Sequence, residues 1–329
     1  MKRVLSLMLV MVMSVIAIVD IVAQTSTAGE KSKVAQKSYK IVLVSAQSSN
    51  PYFFTINAGA QDEAKTLGVS VVFQAPQANN IQSQLTVVQA IQATKPDFVI
   101  IAPVDSTGMI APLRMMKEDN IPVITVDRDV LDTSVRLGTI ISNNKKGGYM
   151  AAEYLSKALG GSGDVAYLGF TPGIQSVDDR HTGWNDGLKE FKGLRLAGEA
   201  FETSDLQSLT AKANALLTRN PNLKGIFASF TNAVLAAASA VKNAGLSGKV
   251  KVVGFDASPD EIQALRSGAI DALIAQEAYT MGQLAVRYAV DYLDNGTKPP
   301  DTTYTSFIVI TPENVNSPDI VPYIYRGAK

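Results

Sequence analysis

From residue 40 onward, short runs rich in Val and Ile alternate with longer segments of helical period, and that alternation narrows the possible folds more than any other feature of the chain. KIVLVS at 40–45, VSVVF at 69–73, DFVIIAP at 97–103 and IPVITVD at 121–127 have the length and composition of buried strands. Between them Ile81, Leu85 and Val88 recur at helical spacing, and Ile110 and Leu113 share another such segment. Asn50 followed by Pro51 starts a helix: an N-cap side chain, then the residue whose missing N–H costs nothing in the first turn. A second set repeats the scheme, with DVAYLGF at 164–170, a run around 194–201, KGIFAS at 224–229 and VKVVGFD at 250–256, separated by helical stretches such as 231–244. Strand–helix alternation calls for parallel strands joined by right-handed crossover helices. A chain of 329 residues, 46% of them hydrophobic, has the length and the core for two such bodies. The expected fold class is therefore α/β, with two doubly wound lobes rather than one large sheet.

Each set ends its fourth strand in an aspartate, Asp127 and Asp256. In open α/β sheets ligands bind beyond the carboxyl ends of the strands, so two such edges facing each other make a cleft. At either position alone, capping of the following helix is the commoner role for Asp. Its recurrence at equivalent places favours a shared binding function.

The N-terminus reads as an export signal. Lys2 and Arg3 precede an apolar run from Val4 to Val19, closed by Asp20, with small residues at Ala23 and Ala28 as candidate cleavage positions. The run is shorter than the roughly 20 apolar residues of a membrane-spanning helix. We expect a signal peptide at 1–23 and a flexible leader over 24–39, rich in Ser, Thr, Lys and Gln. No Cys follows the apolar run, so a lipid anchor on cysteine is excluded, and the mature chain is expected in the periplasm.

Much chemistry is excluded by count. Thirty Lys plus Arg offset thirty Asp plus Glu with no long basic block, which argues against a nucleic-acid partner. With no Cys and one His, His181, the chain lacks the means for thiolate catalysis or a His-rich metal site, so neither metal nor cofactor is expected. His181 lies beside Arg180 in what reads as a polar turn, without the spacing of a catalytic triad. The glycines at 160, 161 and 163 follow a helix instead of a strand, and GLSGK at 245–249 is too short for a phosphate loop, so no nucleotide site is supported. Trp184, with Leu188 and Phe191 on the same helical face, reads as core. Asn295-Gly296-Thr297 reads as a turn.

NPYFFTINAGAQDEAKTLG at 50–68, IPVITVDR at 121–128, DDRHTGW at 178–184 and VVGFDASPDEIQALRSGAIDALIAQ at 252–276 stand in an order and separation that resemble the ribose-binding-protein-like family of periplasmic sugar-binding proteins. The resemblance runs from about residue 40 to 312. It implies the type 1 periplasmic binding protein fold, two Rossmann-like lobes joined by a three-strand hinge with crossings near Ser142, Gln276 and Ser306. The lobes would be 40–142 plus 277–306 and 143–276 plus 307–329. It also implies a monomeric, non-enzymatic protein that closes by a Venus-flytrap motion on a monosaccharide or related polyol. That protein would deliver its ligand to an ABC transporter permease or, alternatively, present it to a chemoreceptor or sensor kinase.

By the same resemblance the ligand-binding positions fall on Asn50, Tyr52, Phe53, Asp127, Arg128, Arg180, Asp256 and Gln276. The chemistry suits a sugar, since carboxylates accept from paired hydroxyls, Arg forks donate to their oxygens, and aromatic rings cover C–H faces. Two positions depart from the ribose-type pattern: Phe230, with Asn232 just after, stands where an amide usually reads a hydroxyl, and Ser204 stands where an aromatic is frequent. The pocket wall of the second lobe is accordingly expected to differ from a ribose site.

Overall fold

The computed structural model describes residues 34–327. The expected signal peptide and the first part of the leader lie outside the described residues. The chain runs β1 (Lys40–Val44), α1 (Pro51–Leu67), β2 (Ser70–Gln74), α2 (Ile81–Ala93), β3 (Phe98–Ile101), α3 (Ile110–Glu118), β4 (Val123–Val126) and β5 (Thr139–Ser142). It continues with α4 (Asn144–Ala158), β6 (Gly163–Phe170), α5 (Gln175–Glu190), β7 (Leu194–Glu202), α6 (Leu206–Arg219), β8 (Leu223–Ala228), α7 (Thr231–Asn243), β9 (Lys251–Phe255), α8 (Pro259–Arg266) and β10 (Ala272–Gln276). Last come α9 (Ala278–Asn295), β11 (Thr302–Thr305), β12 (Phe307–Ile310) and a 3₁₀ turn at Val321–Tyr323, a first such turn lying at Thr133–Val135 between β4 and β5.

Two six-stranded sheets result, ordered β11-β5-β4-β3-β1-β2 and β12-β10-β9-β8-β6-β7. The α/β class with two wound lobes is what the alternation of the sequence calls for. In each sheet successive side chains serve opposite faces, so continuous Val/Ile runs are needed to fill both. Val42, Val44, Val99 and Ile101 pack with Val88, Leu113 and Met116 on one face of the first sheet. Ile41, Leu43, Phe98 and Ile100 pack with Ile56, Ala60 and Ala64 on the other. In the second sheet Tyr167, Phe227 and Phe255 surround Trp184, which is fully buried, in agreement with its reading as core.

The chain passes from the first sheet to the second after Ser142, back after Gln276, and again between Thr305 and Phe307. The last passage explains a departure from an all-parallel expectation. β11 is parallel to β5 whereas β12 is antiparallel to β10. The carboxyl edges of the two sheets face each other, so a strand that continues straight from one into the other must run with the first and against the second.

One pair of helices in each lobe packs through glycine. A Cβ at Gly282 of α9 would collide with the Ile56 carbonyl of α1, and a Cβ at Gly148 of α4 would collide with the Arg180 carbonyl of α5. Arg180 and Ile56 therefore hold equivalent places in the two lobes. Arg180 and His181 lie within α5, not in a polar turn. The polar first turns of that helix carry Gln175, which is exposed, and Asp178 and Asp179, which are half-buried.

The last residues of the expected leader are fastened to the body. The Ala35 N–H donates to Leu67 O at 2.8 Å, and the Tyr39 hydroxyl donates to Asp294 Oδ1 at 2.7 Å.

Candidate functional site

Asp127 and Asp256 follow directly on β4 and β9 and leave them in the same way. Both have positive φ, 65° and 87°. The Asp127 N–H donates to Ile140 O of β5 at 2.9 Å and the Asp256 N–H to Ile274 O of β10 at 3.0 Å, so each backbone is pinned by the neighbouring strand. Left-handed backbone costs a non-glycine residue about 1–2 kcal/mol, and among such residues Asp and Asn tolerate it best. Neither aspartate caps a helix. The N-cap of α8 is Ser258, in a capping box with Glu261, and Asp127 leads into an irregular loop. The side chains are thereby released from local duty and stand at the strand ends.

On the first-lobe side, Asn50 caps α1 by accepting from the Tyr52 N–H at 2.9 Å. The cap fixes the first turn of the helix and with it the direction of Tyr52. The Tyr52 hydroxyl donates to Met281 Sδ at 3.3 Å and faces the Asp127 carboxylate. Burial, the charge of Asp127 and that of Asp256 raise its pKa well above the ordinary phenol range, so it remains a donor. Phe53, its neighbour, is instead buried at the sheet's carboxyl edge beside Leu43, Phe73 and Val126. Arg128 Nε lies 3.4 Å from Asp127 Oδ2. Burial raises the pKa of Asp127, while Arg128, the Tyr52 hydroxyl and the more distant Arg180 oppose that shift.

Arg180 is the best-held member of the second lobe. It is 6% exposed, its Nε donates to Asn144 Oδ1 at 2.9 Å and its Nη1 to Ser229 O at 2.8 Å. Its guanidinium carbon lies 3.7 Å from the centre of the Phe255 ring. A planar cation stacked on an aromatic face and bonded through both Nε and Nη1 is fixed in orientation, and its Nη2 has no hydrogen-bond partner among the described residues. Asp256 Oδ1 accepts from Gln276 Nε2 at 2.6 Å and from the Tyr325 hydroxyl at 2.7 Å.

Tyr52, Asp127, Arg128, Arg180, Asp256 and Gln276 thus form one electrostatically connected group at the facing edges. Three further expected positions sit apart from it. Ser204 is exposed, and its carbonyl accepts from Asn232 Nδ2 at 2.7 Å, which occupies that amide with backbone. Phe230 is half-buried at the N-cap position of α7, edge-to-face with Phe170 at 5.4 Å. Its link to the group is the preceding residue, Ser229, whose carbonyl holds Arg180.

Four contributors escaped the sequence reading. Asn144 and Phe255 hold Arg180. Both stand next to strand ends, at the edge where Asp127 and Asp256 were found, and that position was a usable signal. Glu261 is fully buried in the α8 capping box, and burial together with the charge of Asp256 pushes its pKa up to about 8. Tyr325, close to the C-terminus, had no sequence signal at all.

The periplasmic binding protein domain family matches residues 41–298. The chain is 33% identical over 249 residues to the ribose import binding protein RbsB of Escherichia coli, covering 76% of this chain and 83% of that protein. It is 28% identical over 294 residues to the D-allose-binding periplasmic protein of the same organism, covering 85% and 94%. Among solved structures, an ABC transporter solute-binding protein from Agrobacterium vitis bound with α-D-tagatopyranose superposes with a TM-score of 0.80 at 32% identity, covering 88% of this chain and all of that one.

Proposed function

The chain belongs to the periplasmic binding protein family, and from that premise we propose that it captures a monosaccharide between its lobes for an ABC importer. The observation that carries this reading is the convergence of Asp127 and Tyr52 from one sheet edge with Arg180 and Asp256 from the other. Sugar hydroxyls both donate and accept, so they suit a site that pairs carboxylates with a guanidinium. Each charge-assisted bond contributes about 1.5–3 kcal/mol, and a few of them reach the roughly −8 kcal/mol of micromolar binding. The Tyr52 ring offers the apolar surface for C–H groups. The relatives carry the names of binding proteins, and in this reading the protein binds its sugar and releases it unchanged.

Contacts to both lobes exist only when the lobes approach, so the ligand favours the closed form by the difference. In this reading the moving bodies are 40–142 plus 277–306 and 143–276 plus 307–329, hinged where the backbone passes between the sheets. Export by a signal peptide at 1–23, without a lipid anchor, belongs to the same proposal, as does delivery to a membrane permease. Calorimetric titration with D-ribose, D-allose, D-arabinose and D-tagatose tests it. We expect micromolar or tighter binding of at least one, with the sugar recovered unchanged; binding of none breaks the monosaccharide reading.

A further inference from the structure

We propose that the C-terminal segment carries an intramolecular competitor for this cleft: Tyr325 takes, on Asp256 and against Tyr52, the place of a ligand hydroxyl and ring, and the ligand must displace it. The proposal rests on the reading of the cleft as a sugar site. Tyr325 lies beyond the last strand, on a tail that leaves the second sheet and turns at Val321–Tyr323. Val321, Pro322, Arg326 and Gly327 of this tail are exposed, yet Tyr325 between them is 4% exposed. Its hydroxyl donates to Asp256 Oδ1 at 2.7 Å, and its ring stands edge-on to Tyr52 with centroids 5.3 Å apart. A phenol and a sugar offer the same two surfaces, a hydroxyl for a carboxylate and C–H groups for an aromatic ring.

The backbone around Tyr325 strengthens the case. The Tyr325 N–H donates to Ala257 O, just past β9 in the second lobe, at 2.9 Å. The next amide, that of Arg326, donates to Thr55 Oγ1 on α1 of the first lobe at 2.7 Å. Consecutive amides therefore fasten opposite lobes, and the tail ties them together where a bound sugar otherwise would. A fixed wall of the pocket would also bury an aromatic ring. The residues around Tyr325, however, are exposed or half-buried, and beyond its own bonds the tail is held at the rim by the Tyr323 hydroxyl on Glu277 Oε1 at 3.0 Å and by Arg326 beside Asp62 and the Tyr279 ring, polar contacts that local opening exchanges for water.

The test uses the full chain. D-ribose and D-allose are titrated into the wild type, Tyr325→Phe and Tyr325→Ala, and amide exchange over 321–327 is followed in the wild type with and without sugar. We expect affinity to rise about tenfold or more in Tyr325→Ala and by a smaller factor in Tyr325→Phe, which keeps the ring but loses the bond to Asp256. Sugar should speed exchange across the tail. Equal or weaker binding by both variants, or exchange slowed by sugar, overturns the competitor and makes the tail a wall. Binding by none of the three proteins overturns the sugar reading and the competitor with it.

Discussion

The loops after β4 and β9 are near copies in backbone and unlike in side chain. Each holds an aspartate at positive φ, each aspartate is pinned by the neighbouring strand, and each strand is packed on both faces. Beyond the backbone the likeness ends. Asp127 meets Arg128, its neighbour in sequence, and the hydroxyl of Tyr52. Asp256 is held by Gln276 from the end of β10 and by Tyr325 from the tail. The residue that ends the equivalent strand in the first sheet is Ser142, whose buried hydroxyl has no hydrogen-bond partner among the described residues. Arg180 itself answers to Ile56, a core residue, across the paired helices. A repeated fold thus delivers two equivalent edges, and what each edge does depends on which side chains reach it from outside the repeat.

The strongest way to break this comparison is to remove the guanidinium that stands where the first lobe has Ile56. Arg180→Ala is expected to weaken sugar binding by about 2–4 kcal/mol, because a fork is lost and its partners are left unpaired. Calorimetry reads the loss, and thermal melting of the free protein reports how much of it is structural. Arg180→Lys, which keeps the charge without the fork or the stacking, should recover only part of the affinity. Unchanged affinity in a folded Arg180→Ala protein would place the residue outside the ligand's reach.

The two aspartates sharpen the comparison. Asp127→Asn and Asp256→Asn keep a residue that tolerates positive φ, so each should fold normally while losing about 1.5–3 kcal/mol of affinity and the ligand-dependent compaction seen by small-angle scattering. The Ala variants should lose a further 1–2 kcal/mol or so of stability from backbone strain alone. Preserved affinity in one Asn variant but not the other would make the lobes unequal in function as well as in surroundings.

Glu261 has no counterpart in the first lobe's loop and adds a pH dependence to the second. Its pKa is raised to about 8, above its ordinary value of 4.5, so the native state binds the proton more tightly than the unfolded chain. The stabilisation is fully present below about pH 4.5 and is lost as pH rises through about 8. Glu261→Gln mimics the protonated form and should flatten the fall of melting temperature over that range. A slope unaltered by the substitution would assign the dependence to another group.

The smallest effect is expected at Phe230. Asn there offers a side-chain cap that Phe230 does not provide to α7, so melting of the free protein should rise by the equivalent of about 1 kcal/mol. An amide in place of the phenyl should also strengthen D-ribose binding by roughly 1–3 kcal/mol if a hydroxyl is aimed at that position. A gain in stability with ribose affinity unmoved would confine the residue to the rim, beside Phe170.

Much of this molecule was legible before any coordinates. A Val/Ile run has to be buried on two faces, and a helix with one apolar face has to lie on a sheet. KIVLVS and VKVVGFD therefore declared strands, and Asn50-Pro51 declared the helix start that the Asn50 cap completes. β5 and β10 to β12 did not stand out from the apolar runs, although they are no shorter than β3 and β4; for β11 and β12 the partners also come from far along the chain. The sequence by itself determined the local conformations and the two strand ends at which aspartates stand, since both follow from short-range sterics and from apolar period. Only the tertiary structure decided that Arg180 lies on a helix against Phe255, that Asn232 is occupied by Ser204, and that Tyr325 reaches Asp256 from 69 residues away. Those pairings depend on the path of the whole chain, and no periodicity in a sequence records which distant side chain will arrive at a given edge.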